Sequence, residues 1–345
     1  MVPMAQASIE LAGQVIAPGQ KATVLLPVAE TYLRQDARMP VHVFHGRRPG
    51  PRLFVCAAIH GDELNGIEVV RRLTSLKRLS SMAGTLFAVP VVNLYGFMGN
   101  SRYLPDRRDL NRFFPGAKGG SLASELAQVL FKNVVSYCDY GIDLHTGSNH
   151  RRNLPHLRGD MSDPEVLAMA RAFGAPLALE SPGAKGSLRG AAVAKGVKML
   201  TYEAGEALRL DEVSIKAGVR GLTSVMEHLG MLSTRKRSVR SSLTMQVALN
   251  SSWVRATMSG LLQSRVKLGQ LVSKDQILGF IHDPFGTQSL ELTSPRQGVV
   301  IGLQSLPSVY KGDALVHLGS FEAPAKAEAL VDEFSELMNQ DSGLA

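Results

Sequence analysis

The chain has 345 residues, 45% of them apolar and 20% charged, with two cysteines; this composition excludes a disordered, collagen-like or disulfide-stapled chain and provides for about two domains. No apolar run approaches the ~20 residues of a membrane-spanning helix, and MVPMAQASIELAG lacks the basic start and apolar stretch of a signal peptide, so a cytoplasmic protein with no membrane partner is expected. The net charge of +8 is not gathered into a nucleic-acid pattern: the densest basic group, Arg235, Lys236, Arg237 and Arg240, falls in a linker-like stretch, and aromatics are sparse. A small anionic substrate accounts for the excess instead.

In chain order, Leu53 to Ile59 is a continuous apolar run, as a strand buried on both faces requires. It stops at His60-Gly61-Asp62-Glu63, and a helical stripe of Ile67, Val70 and Leu73 follows. Thr85 to Val92 is the next strand. Asn93 to Gly120 is a long stretch rich in Arg, Asp, Pro and Gly, and such stretches inside a domain are usually functional. Ser121 caps a helix over Leu122 to Tyr137, Tyr140 to Leu144 is a strand ending at His145, and Asp163 to Phe173 is helical. Val197 to Tyr202 is a strand ending at Glu203, and Asp211 to Leu229 is a helix stopped by Gly230. Cys56 and Cys138 lie in apolar runs and read as small buried hydrophobes.

Alternating strands and helices predict a mixed, mainly parallel central sheet with helices on both faces. Residues 1–232 form this domain, and 233–243 read as a linker. Short strand patterns broken by Gly and Pro over 244–320 predict a small all-β domain. Within it, Val266 to Gln270 and Val309 to Asp313 form a weak repeat. Residues 321–345 are an acidic tail, read as a surface helix with a frayed end.

In sheets of this kind ligands bind beyond the carboxyl ends of the strands. His60, Glu63 and His145 gather there, and two histidines with one carboxylate are a donor set for catalytic zinc. His60-x-x-Glu63 alone is a weak motif; the distant His145 at the same rim strengthens it. A zinc hydrolase also needs a proton acceptor and an anion stabiliser. Glu203 stands at a strand end, with Glu206 and Glu180 as competitors. The long loop offers Arg102, Arg107, Arg108, Asn111 and Arg112, of which Arg107 and Arg108 read best as solvated. Asp109 reads as orienting a neighbouring arginine. The seven other histidines lack a strand-end setting.

Five motifs then come in one order: His60-Gly61-Asp62-Glu63, Ser101-Arg102-Tyr103-Leu104-Pro105, Asp109 to Gly116 (DLNRFFPG), Asp143-Leu144-His145-Thr146-Gly147 and Tyr202-Glu203-Ala204-Gly205. Over roughly residues 20 to 230 the chain resembles the succinylglutamate desuccinylase/aspartoacylase family, which has a zinc-carboxypeptidase-like fold. The resemblance implies one zinc ion per chain, held by His60, Glu63 and His145. It implies Glu203 as general base and proton shuttle, Arg102 as the group that polarises the scissile carbonyl, and Asn111 with Arg112 as a carboxylate grip. It implies hydrolysis of the amide of a small N-acyl amino acid. A metallocarboxypeptidase cutting peptide C-termini is the alternative, and a homo-oligomer stays open.

The C-terminal domain resembles the barrel-sandwich fold of biotinyl and lipoyl domains, with Ser294-Pro295-Arg296-Gln297-Gly298 after the modified position. Thr287 stands where those domains carry lysine, so no covalent biotin or lipoate is expected.

Overall fold

The apolar run from Leu53 to Ile59 is sealed from solvent throughout and divides its side chains between two cores. Leu53, Val55 and Ala57 enter one hydrophobic cluster; Phe54, Cys56 and Ile59 enter the other. This is the alternation of a strand covered on both faces. The computed structural model, which describes residues 6–30, 36–234 and 244–340, builds a mixed α/β fold around this strand.

A hairpin of β1 (Ile9–Leu11) and β2 (Gln14–Ile16) precedes β3 (Lys21–Glu30), β4 (Asp36–His45) and β5 (Arg48–Ala57). Next come α1 (Asn65–Thr74), β6 (Ala83–Val89), α2 (Leu94–Met98), α3 (Leu122–Asn133), β7 (Tyr140–Gly147) and β8 (Arg151–Gly159). The α/β part closes with α4 (Pro164–Phe173), β9 (Leu177–Glu180), α5 (Leu188–Ala194), β10 (Lys198–Glu206) and α6 (Glu212–His228). The helices start where the sequence predicts: Ser121, Asp163 and Asp211 each accept a backbone N–H of the first turn. Helices α1, α4 and α6 cover the core of Leu53 and Val55, while α3 and α5 cover the core of Phe54 and Cys56.

The sheet centre, in the order β10-β7-β5-β6, is parallel, as alternating strands and helices require. Antiparallel strands extend it on both sides, β4 and β3 beyond β6 and β8 beyond β10. Strand β8 is absent from the sequence-based reading because Pro155 and the basic Arg151, Arg152 and Arg158 hide its alternation.

The C-terminal region contains β11 (Gln246–Ala248), β12 (Asn250–Arg255), β13 (Gly260–Ser264), β14 (Leu271–Val272) and β15 (Ile277–His282). It continues with β16 (Ser289–Thr293), β17 (Gly298–Gln304), β18 (Ser308–Val309), β19 (Ala314–Ser320) and α7 (Pro324–Gln340). Strands β13, β15, β16 and β18 form a separate four-stranded sheet, whereas β12, β19 and β17 continue the main one. The junction is β8. Its residues Arg151, Arg152 and Asn153 pair with Gln304, Leu303 and Gly302 of β17, while His156 to Gly159 pair with β9. The linker expected over 233–243 lies almost wholly outside the described residues. The weak repeat is a repeated tight turn, with Gly269 and Gly312 at positive φ. The acidic tail forms α7, which is docked rather than loose: Phe334 and Met338 join the core of α1, α4 and α6. Its expected frayed end lies outside the described residues. Among the described residues no helix is long and apolar enough to cross a membrane. Both cysteines are buried and free.

The turn after β5 leaves no room at Gly61, where a Cβ would collide with the backbone of Gly96 and Phe97 in α2. Neither partner is a flexible side chain, so the clash is relieved only by moving backbone. Gly61→Ala should therefore destabilise the fold by about 1–3 kcal/mol or more, the range for overpacking. Chemical denaturation checks this; an unchanged midpoint and slope would contradict the packing.

Candidate active site at the carboxyl edge of the sheet

Beyond β5 the chain turns through Ala58, a non-glycine residue at φ +52°, a conformation that persists only when its surroundings hold it. Ala57 and Ala58 carbonyls accept Val92 and Asn93 N–H at 3.0 and 2.8 Å, which fastens this turn to the start of the long loop. His60 therefore sits three residues past its strand, not directly after it. His145 and Glu203 lie inside β7 and β10 rather than after them, because the strands run on to Gly147 and Glu206. The two are paired across the parallel ladder.

Glu63 is the centre of the cluster and is 1% exposed. One carboxylate oxygen lies 2.7 Å from His60 Nδ1; the other lies 2.8 Å from His145 Nδ1 and accepts Thr146 N–H at 3.0 Å. Arg102 Nη1 adds a contact at 3.2 Å. The outer nitrogens of both imidazoles are held by carboxylates: Asp109 at 3.1 Å from His60 Nε2 and Asp143 at 2.7 Å from His145 Nε2. Burial alone would lower both imidazole pKa values. The Glu63 charge and the Asp109 hydrogen bond at His60, and the Asp143 and Glu63 charges at His145, outweigh it, so both are raised. Burial would likewise raise the Glu63 pKa, yet the two histidines hold it well below the usual carboxylate range.

The donor set fits a metal ion. The ligand atoms of His60, Glu63 and His145 lie within 4.8 Å of one another. With both Nε2 atoms fixed by carboxylates, the Nδ1 atoms face Glu63 together, the carboxylate–histidine arrangement that orients metal ligands. Two imidazoles and a carboxylate match catalytic zinc, with a coordination position left for chemistry.

The remaining candidate residues line the same cavity of about 460 Å³. Arg102 Nη2 is held by Asp109 at 3.0 Å, so Asp109 orients this arginine, as its position in the loop predicts. Asn111 and Arg112 both line the cavity; Asn111 Oδ1 accepts the Leu188 N–H at 2.8 Å, which leaves its amide N–H groups for a ligand. Glu203 faces the cavity, held by Asn153 Nδ2 at 3.0 Å. Its competitors are elsewhere: Glu206 accepts from Ser305 and Glu180 from the Met161 N–H, and neither lines the cavity. Arg107 and Arg108 stay outside it, Arg108 paired with Asp106.

Sequence reasoning missed Arg151, Asn153 and Arg158 on β8, Arg189 on α5 and Trp253 on β12, all lining the cavity. Trp253 stacks on His317 at 4.5 Å and lies under the Arg151 guanidinium at 5.2 Å. The strand pattern of β8 is obscured, and Trp253 reaches the cavity through sheet pairing of the C-terminal strands, so no local signal marked them. Five arginines against Glu63, Asp143 and Glu203 make the cavity walls basic.

A parallel-centred sheet that gathers a buried His–Glu–His cluster, a second glutamate and a fork of arginines at its carboxyl edge defines a class of amide hydrolases. The chain belongs to the succinylglutamate desuccinylase/aspartoacylase family: the model of the succinylglutamate desuccinylase/aspartoacylase catalytic domain matches residues 49–229, over half its length. It is 27% identical over 308 residues, 86% of this chain and 90% of the relative, to N-alpha-acetyl-L-2,4-diaminobutyric acid deacetylase of Halomonas elongata. Among solved structures it resembles a succinylglutamate desuccinylase/aspartoacylase from Rhodobacter sphaeroides (TM-score 0.79, 24% identity, 88% of this chain and 95% of that one). It also resembles the product-bound ectoine utilization protein EutE (DoeB) from Ruegeria pomeroyi (TM-score 0.79, 23% identity, 87% of this chain and 95% of that one).

Two substitutions separate direct from supporting contacts in the cluster. His145→Ala should abolish stoichiometric zinc binding. Asp143→Asn leaves the ligand but removes the carboxylate behind it, and should weaken zinc binding about 10–100-fold. Competition against a chelator of known affinity measures both. Full-strength zinc binding by His145→Ala would contradict the assignment.

Proposed function

We propose that this chain is a zinc-dependent deacylase that cleaves the amide of a small N-acyl amino acid. The observation that carries the reading is one cavity lined by His60, Glu63 and His145 together with Glu203, Arg102, Asn111 and Arg112. Bound by His60, Glu63 and His145, one zinc ion would polarise a carbonyl and acidify water. Glu203 takes the proton of the attacking water and returns it to the departing amine. Arg102, already drawn toward the cluster by Glu63 and Asp109, has guanidinium N–H groups to spare for the oxygen that gains charge as the amide is attacked. Asn111 and Arg112 grip the substrate's α-carboxylate, for which a guanidinium fork is the matching donor.

Support comes from the relative named as an N-acetyl amino acid deacetylase and from the basic cavity walls. A cavity of about 460 Å³ has the size of a small-molecule site. Trp253 from the C-terminal region forms part of its wall, which favours a small N-acyl amino acid over a peptide C-terminus.

The test is a hydrolysis screen of the zinc-loaded protein against N-acetyl, N-succinyl and N-formyl amino acids and a few dipeptides. An N-acyl amino acid should be the best substrate, and its α-carboxamide should be hydrolysed with much lower kcat/KM. Equal kcat/KM for the two would remove the carboxylate grip. Glu203→Gln should retain zinc and lower kcat by about 10²–10⁴-fold. Arg112→Ala should act mainly on KM, since it removes a contact made equally in ground and transition states.

A further inference from the structure

The carboxylate of Glu203 has a hydrogen-bond donor on one oxygen and an ion-pair partner on the other. Asn153 Nδ2 donates to Oε2 at 3.0 Å, while Arg158 Nε stands 3.5 Å from Oε1, too far for a good hydrogen bond. Asn153 is itself 7% exposed and locked in the middle of the sheet. Its backbone pairs with Gly205 of β10 on one side and with Gly302 of β17 on the other. Gly302 lets β17 approach the amide closely: a Cβ there would lie 3.1 Å from Asn153 Oδ1, 3.1 Å from His317 Cβ and 3.2 Å from Trp253 Cη2. The side chain behind Glu203 is thus fixed by the C-terminal strands, not by the α/β part alone.

We propose that Asn153 is a positioning residue: its amide fixes the orientation of the Glu203 carboxylate, and strand β17 of the C-terminal region fixes Asn153. With Oε2 hydrogen-bonded, Oε1, which faces Arg158 at 3.5 Å without a good hydrogen bond, is the oxygen left to exchange protons. A neutral amide suits this task. The amide orients the carboxylate and adds no charge of its own beside that of Arg158. The C-terminal strands, which carry no lysine at the position of a swinging-arm attachment, thereby acquire a part in catalysis. This inference rests on Glu203 acting as the base.

The experiment is a kinetic double-mutant cycle on the full-length, zinc-loaded protein, using the N-acyl amino acid of highest kcat/KM in the screen above. The variants are Asn153→Ala, the isosteric Asn153→Asp, Glu203→Gln and the Asn153→Ala/Glu203→Gln pair. Asn153→Ala should lower kcat about 10- to 100-fold, the loss of one hydrogen bond to a charged group, with KM and zinc content unchanged. Asn153→Asp keeps the shape and should lose kcat likewise, so it carries the test if the alanine variant does not fold. In the Glu203→Gln background Asn153→Ala should cost almost nothing more, because a residue that acts through Glu203 has nothing left to act on. A general structural role would instead lower kcat by the same factor in both backgrounds, and that result overturns the proposal. Wild-type kcat in both single Asn153 variants beside an inactive Glu203→Gln overturns it and leaves the base assignment intact. A wild-type rate in Glu203→Gln removes the base assignment, and this inference with it.

Discussion

A carboxylate sealed from water is tolerable only when protein groups replace its solvation, and Glu63 obtains that replacement from three separate segments. His60 comes from the turn after β5, His145 and the Thr146 N–H from β7, and Arg102 from the loop after β6. Much of the surrounding architecture follows from this requirement. The parallel strands end at one edge, so their terminal side chains converge. The strained turn at Ala58 carries His60 back over that edge. Asp109 and Asp143 close a second ring of contacts that fixes which imidazole nitrogen faces inward. The ion pairs are collective: removal of one member leaves buried charge uncompensated, which costs more than the intact network contributes.

The second constraint is the division of labour on β8. Through β10 it borders the strand of Glu203, and through β17 it joins the C-terminal strands. The β8–β17 and β9–β11 pairings thus make one 13-stranded sheet of what the composition divides in two. Trp253, His317 and Gly302 all belong to the C-terminal region, yet they stand beside Asn153 and Arg151, and Trp253 lines the cavity with them. The C-terminal strands are therefore part of the cavity wall.

How much of this was legible in the sequence depended on burial. Leu53 to Ile59 announced itself because a strand covered on both faces must be continuously apolar, and the polar residue that stops such a run marks the site edge. His60, Glu63, His145, Glu203, Arg102, Asn111 and Arg112 all fall in polar stops or in the long loop after a strand, and the structure brings them to one cavity. Strand β8 gave no such signal: it is antiparallel to β10 and β17, carries Pro155 and exposes charged residues along part of its length. Asn153, Arg158 and Trp253 were thus invisible, because their proximity to Glu203 is created by sheet pairing between distant segments rather than by local spacing. His145 and Glu203 were placed after their strands rather than within them. The polar residues ended the apolar pattern, while the ladder hydrogen bonds continued.

The central claim is that Glu63 and its two histidines are organised for a metal ion. Anomalous diffraction at the zinc edge from crystals of the zinc-loaded protein tests it most directly. The account predicts one strong peak in contact with Nδ1 of His60, the Glu63 carboxylate and Nδ1 of His145, with Asp109 and Asp143 still on the outer nitrogens. A zinc peak elsewhere on the chain, with the Glu63–histidine contacts intact and metal-free at saturating zinc, would contradict it.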